Sequence, residues 1–314
     1  MTISEHLGEF GGLPAFDFPE PDTAAQLPAA DSVAWRISAE VYDSEEDWQQ
    51  VFARFTEAVD TRQVRAVIVG GWDEAYDTSN ATVIEALVKA AGDFPALRAL
   101  FVGDVTYEQC EISWLNQSDV TPLLDAYPAL EELGVRGGEG LVLRPVEHRA
   151  LRVLRIETGG LSREVVRAVA ACELPALDDL DIWLGTSWYG ADTDVSDLEP
   201  ILTGVRLPAL RRLALRNSEI QNEIAAALAG APVVARLKVL DLSMGTLGDE
   251  GVTALLEGQP LTHLDKLDLH HHFLSPPFEE RLVAALSPYG VEVDLSDRNV
   301  DKGGARDRYT AVAE

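Results

Sequence analysis

Lysine is nearly absent from this chain: four of 314 residues, Lys89, Lys238, Lys266 and Lys302. Cysteine is rarer still. Cys110 and Cys172 are too few for a disulfide framework and read as two small buried residues in a reducing compartment. No run of about 18 apolar residues occurs, which excludes a spanning helix. The opening MTISEHLGEF lacks the basic region and apolar core of a secretory signal, so the expected location is the cytoplasm. Positive charge is scarce overall, with 25 Lys and Arg against 53 Asp and Glu, a formal charge of −28. Such a surface repels phosphate backbones and anionic lipid, which argues against nucleic-acid and membrane partners. It favours a basic partner, or it serves solubility alone. Catalytic signatures are missing too: there is no nucleophile elbow, HExxH or P-loop. Nothing in the sequence calls for a cofactor.

What is present is leucine at regular intervals. In LPALRRLALRNSEI (207–220), Leu210, Leu213 and Leu215 hold relative positions 1, 4 and 6. Strand side chains alternate faces, so Leu213 and Leu215 point one way and Ala214 and Arg216 the other. The same triplet recurs at Leu97/Leu100/Val102, Leu130/Leu133/Val135, Leu151/Leu154/Ile156, Leu177/Leu180/Ile182, Leu237/Leu240/Leu242 and Leu264/Leu267/Leu269. Weaker copies flank the series at Val64/Val67/Val69 and Val291/Val293/Leu295. From Val64 to Leu264 the spacings are 33, 33, 21, 26, 33, 27 and 27 residues. This self-similarity resembles leucine-rich repeats, and the repeat length with its helical segments resembles the ribonuclease-inhibitor-like branch. The fold class expected is α/β: a leucine-rich-repeat solenoid, a horseshoe with a parallel concave sheet of about ten strands and helices on the convex side.

The organisation follows. Residues 1–31 form an irregular lead-in that lies across the first repeats, because Phe10, Phe16 and Phe18 need burial. Residues 32–63 form a capping strand–helix unit, with a capping box at Ser44-Glu-Glu-Asp47. Residues 64–296 are the repeats, and residues 297–314 are a polar, mobile tail, with a terminal helix or a contact through Tyr309 as the alternatives. The 21-residue repeat from Leu130 has no room for a normal helix in RGGEGLVLRPVEHRA. The three 33-residue repeats carry aromatics in long loops: Trp72 and Tyr76, Tyr107 and Trp114, Trp188 and Tyr189. These are either plugs over the core or a working surface on a rigid scaffold.

Positions 3, 5 and 7 of each repeat should line the concave face. Position 7 gives Arg136, Glu157, Trp183, Arg216 and His270; position 5 gives Arg155, Asp181, Asp241, Asp268 and Asp294; position 3 adds Glu132, Asp179, Arg212 and Lys266. A tryptophan and arginines amid carboxylates have the composition of a recognition surface. The expected partner-binding set is Arg136, Arg155, Glu157, Asp179, Asp181, Trp183, Arg212, Arg216, Asp241, Asp268 and His270, with an exposed Trp183 whose removal weakens binding without unfolding the chain. The competing reading is that adjacent Arg and Asp merely pair across strands. Asp241, Asp268 and His270 also suggest a divalent-metal site or a metal-dependent enzyme.

Residues 111–137, EISWLNQSDVTPLLDAYPALEELGVRG, resemble a family of bacterial cytosolic leucine-rich-repeat proteins in which the stretch from Trp114 through Asp119 into the repeat recurs. That resemblance implies a non-enzymatic scaffold or adaptor in a peptide- or protein-modification pathway, with members encoded beside radical-SAM and ATP-grasp enzymes. Acidic horseshoe inhibitors suggest, by analogy, an inhibitor of a basic enzyme. The expected partner is a protein or peptide, preferably basic, recognised on the concave face.

Overall fold

The computed structural model describes residues 3–21, 23, 26–301 and 307–314. The rest of the lead-in and residues 302–306 of the tail lie outside the described residues. Among the described residues, twelve strands form one sheet in chain order: β1 (Glu9–Phe10), β2 (Leu13–Asp17), β3 (Ala34–Ile37), β4 (Ala66–Val69), β5 (Ala99–Val102), β6 (Glu132–Arg136), β7 (Val153–Glu157), β8 (Asp179–Gly185), β9 (Arg212–Ser218), β10 (Val239–Asp241), β11 (Lys266–Asp268) and β12 (Glu292–Asp294). Only β1 and β2 pair antiparallel; every later pair is parallel. The register is that of the leucine triplets. Leu100, Leu133, Leu154, Leu180, Leu213, Leu240, Leu267 and Val293 are successive partners across the sheet. The chain is a leucine-rich-repeat solenoid.

Among the described residues, eight helices back the sheet: α1 (Trp48–Ala58), α2 (Ala81–Lys89), α3 (Thr121–Ala126), α4 (Arg163–Ala171), α5 (Val195–Thr203), α6 (Gln221–Leu228), α7 (Asp249–Glu257) and α8 (Pro276–Leu286). None is long and apolar enough to cross a membrane. Their inward side chains, such as Val165, Val166 and Val169 of α4, merge with the position-4 and position-6 residues into one core. Each such side chain contributes roughly 1.5–3 kcal/mol by leaving water. As its length predicts, the segment between β6 and β7 has no helix, and its extended run buries Leu141 and Leu143 instead. Helix α1 starts a turn later than expected. Asp47, not Ser44, is its N-cap, and Asp47 and Gln50 form the capping box. Burial of Trp48, whose indole N–H donates to the Ile37 carbonyl at 3.0 Å, selects that start.

Both ends of the chain cover the sheet. The lead-in makes a β1–β2 hairpin whose turn, Gly11-Gly12, has φ of 58° and 70° at its two central residues, a left-handed pair that glycine adopts freely. The hairpin lays Phe10 on Phe101, ring centroids 5.7 Å apart, and on the alanines Ala34, Ala66 and Ala99 of the concave face. At the other end the expected mobility of the tail is corrected for residues 307–314. Ala311 and Val312 are each 2% exposed, because the segment runs back over the C-terminal ends of the strands. Met244 O accepts from Ala311 N at 2.7 Å, and the Ser113 hydroxyl donates to Ala313 O. Asn217 grips Val312 twice, donating to its carbonyl at 2.6 Å and accepting from its N–H at 3.0 Å. His271 Nε2 contacts the Tyr309 carbonyl at 3.1 Å, and the Tyr309 ring packs edge-on against His271 and Phe273 at 5.4 and 5.5 Å, so the alternative of a contact through Tyr309 holds.

Candidate interaction surface

Most charged side chains of the concave face are engaged with one another. Arg136 is buried; it donates to Glu157 at 2.8 Å and to Asp104 at 3.0 Å while lying over the Phe101 ring. Asp104, absent from the sequence-derived set, is fully buried and also meets Arg36 at 2.8 Å. Burial pushes its carboxyl up, but hydrogen bonding from His6 and the charges of Arg136 and Arg36 outweigh that and hold it below the ordinary value. A lone arginine at position 5 of the otherwise apolar strand β3 was the signal that such a carboxylate must exist.

The second cluster centres on Asp181, which is 1% exposed. It accepts a forked pair from Arg216, Nε and Nη2 each at 3.0 Å, and a third bond from Arg212 at 3.1 Å. Arg212 also reaches Asp179 at 2.8 Å and Asp241 at 3.0 Å. Burial of Asp179 raises its pKa against the pull of Arg212. Both guanidiniums stay charged: burial works against them, and the carboxylates more than restore them. Arg155 stands apart. It is half-buried and makes no hydrogen bond or ion pair with the described residues, although Glu132 and Asp179 feel its charge.

Trp183 is the main correction. It sits where the alternation places it, but it is only 7% exposed. Ile112, Met244, Ala311 and Val312 cover it, and Arg216 lies 5.1 Å from its ring centre. Its expected role as an exposed anchor fails because the polar-looking tail carries two apolar residues onto it. Trp183→Ala is accordingly a core substitution.

Metal-ligating geometry is confined, among the described residues, to Asp268, His270 and Asp294, whose ligand atoms lie within 4.8 Å of one another. Asp241 is not part of this group, being held by Arg212 at 3.0 Å and Ser243 Oγ at 2.6 Å. The trio could take a divalent ion through two carboxylates and an imidazole. A cation is already built in, however: Lys266 Nζ is 3.1 Å from Asp268 and 3.5 Å from Asp294. His270 Nδ1 lies 2.7 Å from Asp268, a bond that raises the His270 pKa. His271 and His272 are buried, and burial lowers both. His272 Nδ1 accepts from Leu274 N at 3.1 Å, which leaves Nε2 to donate to the Leu295 carbonyl.

Aromatic and acidic side chains gather on the C-terminal edge of the sheet, in the loops after β4, β5, β6 and β8. Trp72 is a plug, 2% exposed, its indole N–H donating to Thr78 O. The other loop aromatics face outward: Trp188 is 86% exposed and Trp114 60%. Trp114, Trp188, Tyr76 and Tyr189 line a cleft of about 600 Å³ with Asp77 and Glu139. The loops are fixed by buried amides. Asn80 donates to the Gln117 side chain at 2.5 Å, Gln117 donates to Arg136 O at 2.6 Å, and Asn116 N donates to Ala75 O at 2.9 Å. On the far side the Tyr189 carbonyl packs on Gly160, where a Cβ would come within 2.0 Å of it, so no larger residue fits. The cleft is thus an exposed aromatic surface on a rigid base.

No protein-family model matches the chain, and no curated protein does. Among solved structures it is similar to a Bacteroides fragilis protein determined by a structural-genomics consortium, with 26% identity and a TM-score of 0.77 over 84% of this chain and 73% of that one. An internalin from Listeria monocytogenes aligns with 74% of this chain and 67% of its own at 14% identity and a TM-score of 0.36.

Proposed function

We propose that this protein is a non-enzymatic recognition scaffold that binds a protein or peptide through the loop edge of its solenoid. The carrying observation is the pair Trp114 and Trp188, large aromatics held outward on a rigid base and rimmed by polar groups. The concave charges support the reading by contrast. Asp181, Arg212, Arg216 and Asp241 satisfy one another, which makes them the frame of the face and leaves little affinity for an incoming group. An adaptor role in a modification pathway, implied by the resemblance of residues 111–137, would use the same edge.

The test is affinity capture from the native cell with the tagged wild type, a Trp114→Ala/Trp188→Ala double variant and an Arg155→Ala control. We expect a partner retained by wild type and by the control and lost by the double variant. Equal capture by the double variant would remove the loop edge from consideration. Selective loss with Arg155→Ala would return the site to the concave face.

A further inference from the structure

The cleft has a chemistry as well as a shape. Its lining includes the carboxylates of Asp77 and Glu139, and no cationic side chain among the described residues lines it. Beside it Tyr76 stacks on Tyr42, centroids 5.0 Å apart and planes 22° from parallel. Partial desolvation, then the charges of Glu74, Asp77 and Asp43 among others, raises the Tyr76 phenol. On the opposite wall Tyr189 donates its hydroxyl to Glu314, which pushes the phenol up to about 12. The cleft is therefore a set of aromatic faces in a negative field.

Elsewhere in the chain five aromatic faces meet a cation among the described residues. Arg216 lies over Trp183, Arg136 over Phe101, Arg54 over Phe18, and Arg308 over Phe273 at 6.0 Å. Trp114, Trp188 and Tyr76 have no such partner among the described residues. A guanidinium or ammonium over an indole is attracted by the ring's negative face, most strongly where water is excluded. The apolar stem of Lys or Arg also covers ring surface while its charged head reaches outward.

We propose that the cleft binds an extended, Lys- or Arg-bearing segment of the partner. The stems lie on Trp114 and Trp188, and the charged heads end at Asp77 and Glu139. This inference rests on the scaffold reading above and adds the partner's chemistry to it. The net charge of −28 brings such a segment to the surface, and the aromatic floor decides where it stops.

A fluorescein-labelled peptide of about ten residues, alternating Lys and Ser, tests this by anisotropy at low salt, beside a Gln-Ser peptide of the same length. Binding of the Lys peptide alone is expected. It should weaken about tenfold or more in Trp114→Ala/Trp188→Ala, which changes no charge, and again in Asp77→Asn/Glu139→Gln. All four residues lie in exposed loops, and matching circular-dichroism melts would exclude misfolding. Unchanged affinity in the double Trp variant would mean diffuse attraction to an acidic surface and overturn the proposal. So would no binding, or equal binding of the Gln peptide. If cellular capture needs Trp114 and Trp188 while the Lys peptide stays free, the scaffold reading stands and the basic ligand is wrong. If capture ignores both tryptophans, the scaffold reading fails first.

Discussion

Asp181 and Trp188 are seven positions apart in sequence and at opposite extremes of exposure, 1% and 86%. The first is a charge in the sheet, surrounded by two guanidiniums; the second is a hydrophobic ring in a loop, surrounded by water. Composition alone makes Asp181 look functional and Trp188 look like misplaced core. The reverse assignment follows from partners. A charge that is fully paired and desolvated is committed to the fold, whereas an aromatic held outward by a rigid loop is free to meet something else.

The largest effect should come from breaking the paired side of this contrast. Asp181→Ala leaves Arg212 and Arg216 desolvated without their central acceptor and should cost about 3–5 kcal/mol in urea unfolding. A loss below about 1 kcal/mol would mean that water replaces the carboxylate and that the face is open to ligands after all. Next is the tryptophan pair. Trp183→Ala should cost about 3–5 kcal/mol, as large-to-small core changes do, while Trp188→Ala should stay within about 0.5 kcal/mol. Trp183→Phe sharpens the point. The Trp183 indole N–H has no partner among the described residues, so the ring's bulk, not its donor, is what the fold uses. That variant should therefore lose less than about 1.5 kcal/mol.

The smallest effect is in pH. The bond to Asp268 raises His270, so its contribution is complete below the ordinary imidazole value of 6.5 and fades as pH rises through the raised folded value. Burial lowers His272, so its contribution is complete above that ordinary value and fades as pH falls through the lowered one. Urea midpoints followed from mildly acidic to mildly alkaline pH should show both limbs, and His270→Gln should flatten the alkaline limb alone. Loss of the acid limb instead would reverse the two assignments.

The repeats were legible because one triplet, LxxLxL, fixes both the direction of each side chain and its partner on the next strand. Leu133 meeting Leu154, and Leu180 meeting Leu213, follow from the period alone. What the period cannot convey is cover. Phe10 reaches Phe101, and Val312 reaches Asn217, across 91 and 95 positions, by segments that belong to no repeat. The alternation therefore aims Trp183 correctly and carries no sign of the tail that covers it. Asp104 lies one place beyond positions 3, 5 and 7, so the period does not mark it. The loop aromatics were visible as a set, and only packing divided Trp72, a plug, from Trp114 and Trp188, a surface.

A stack whose units touch only their neighbours can open from either end, one unit at a time. The hydrogen bond from Ser113 to Ala313 spans 200 positions, and Asn217 holds Val312 on the way. Residues 307–314 thus act as a clasp, joining the loop after β5 to the last strands across the turns between. Opening the last repeats on their own requires the clasp to let go, which also uncovers Trp183 on β8, four strands before β12. Loosening at the far end is thereby coupled to loosening nearer the middle of the array.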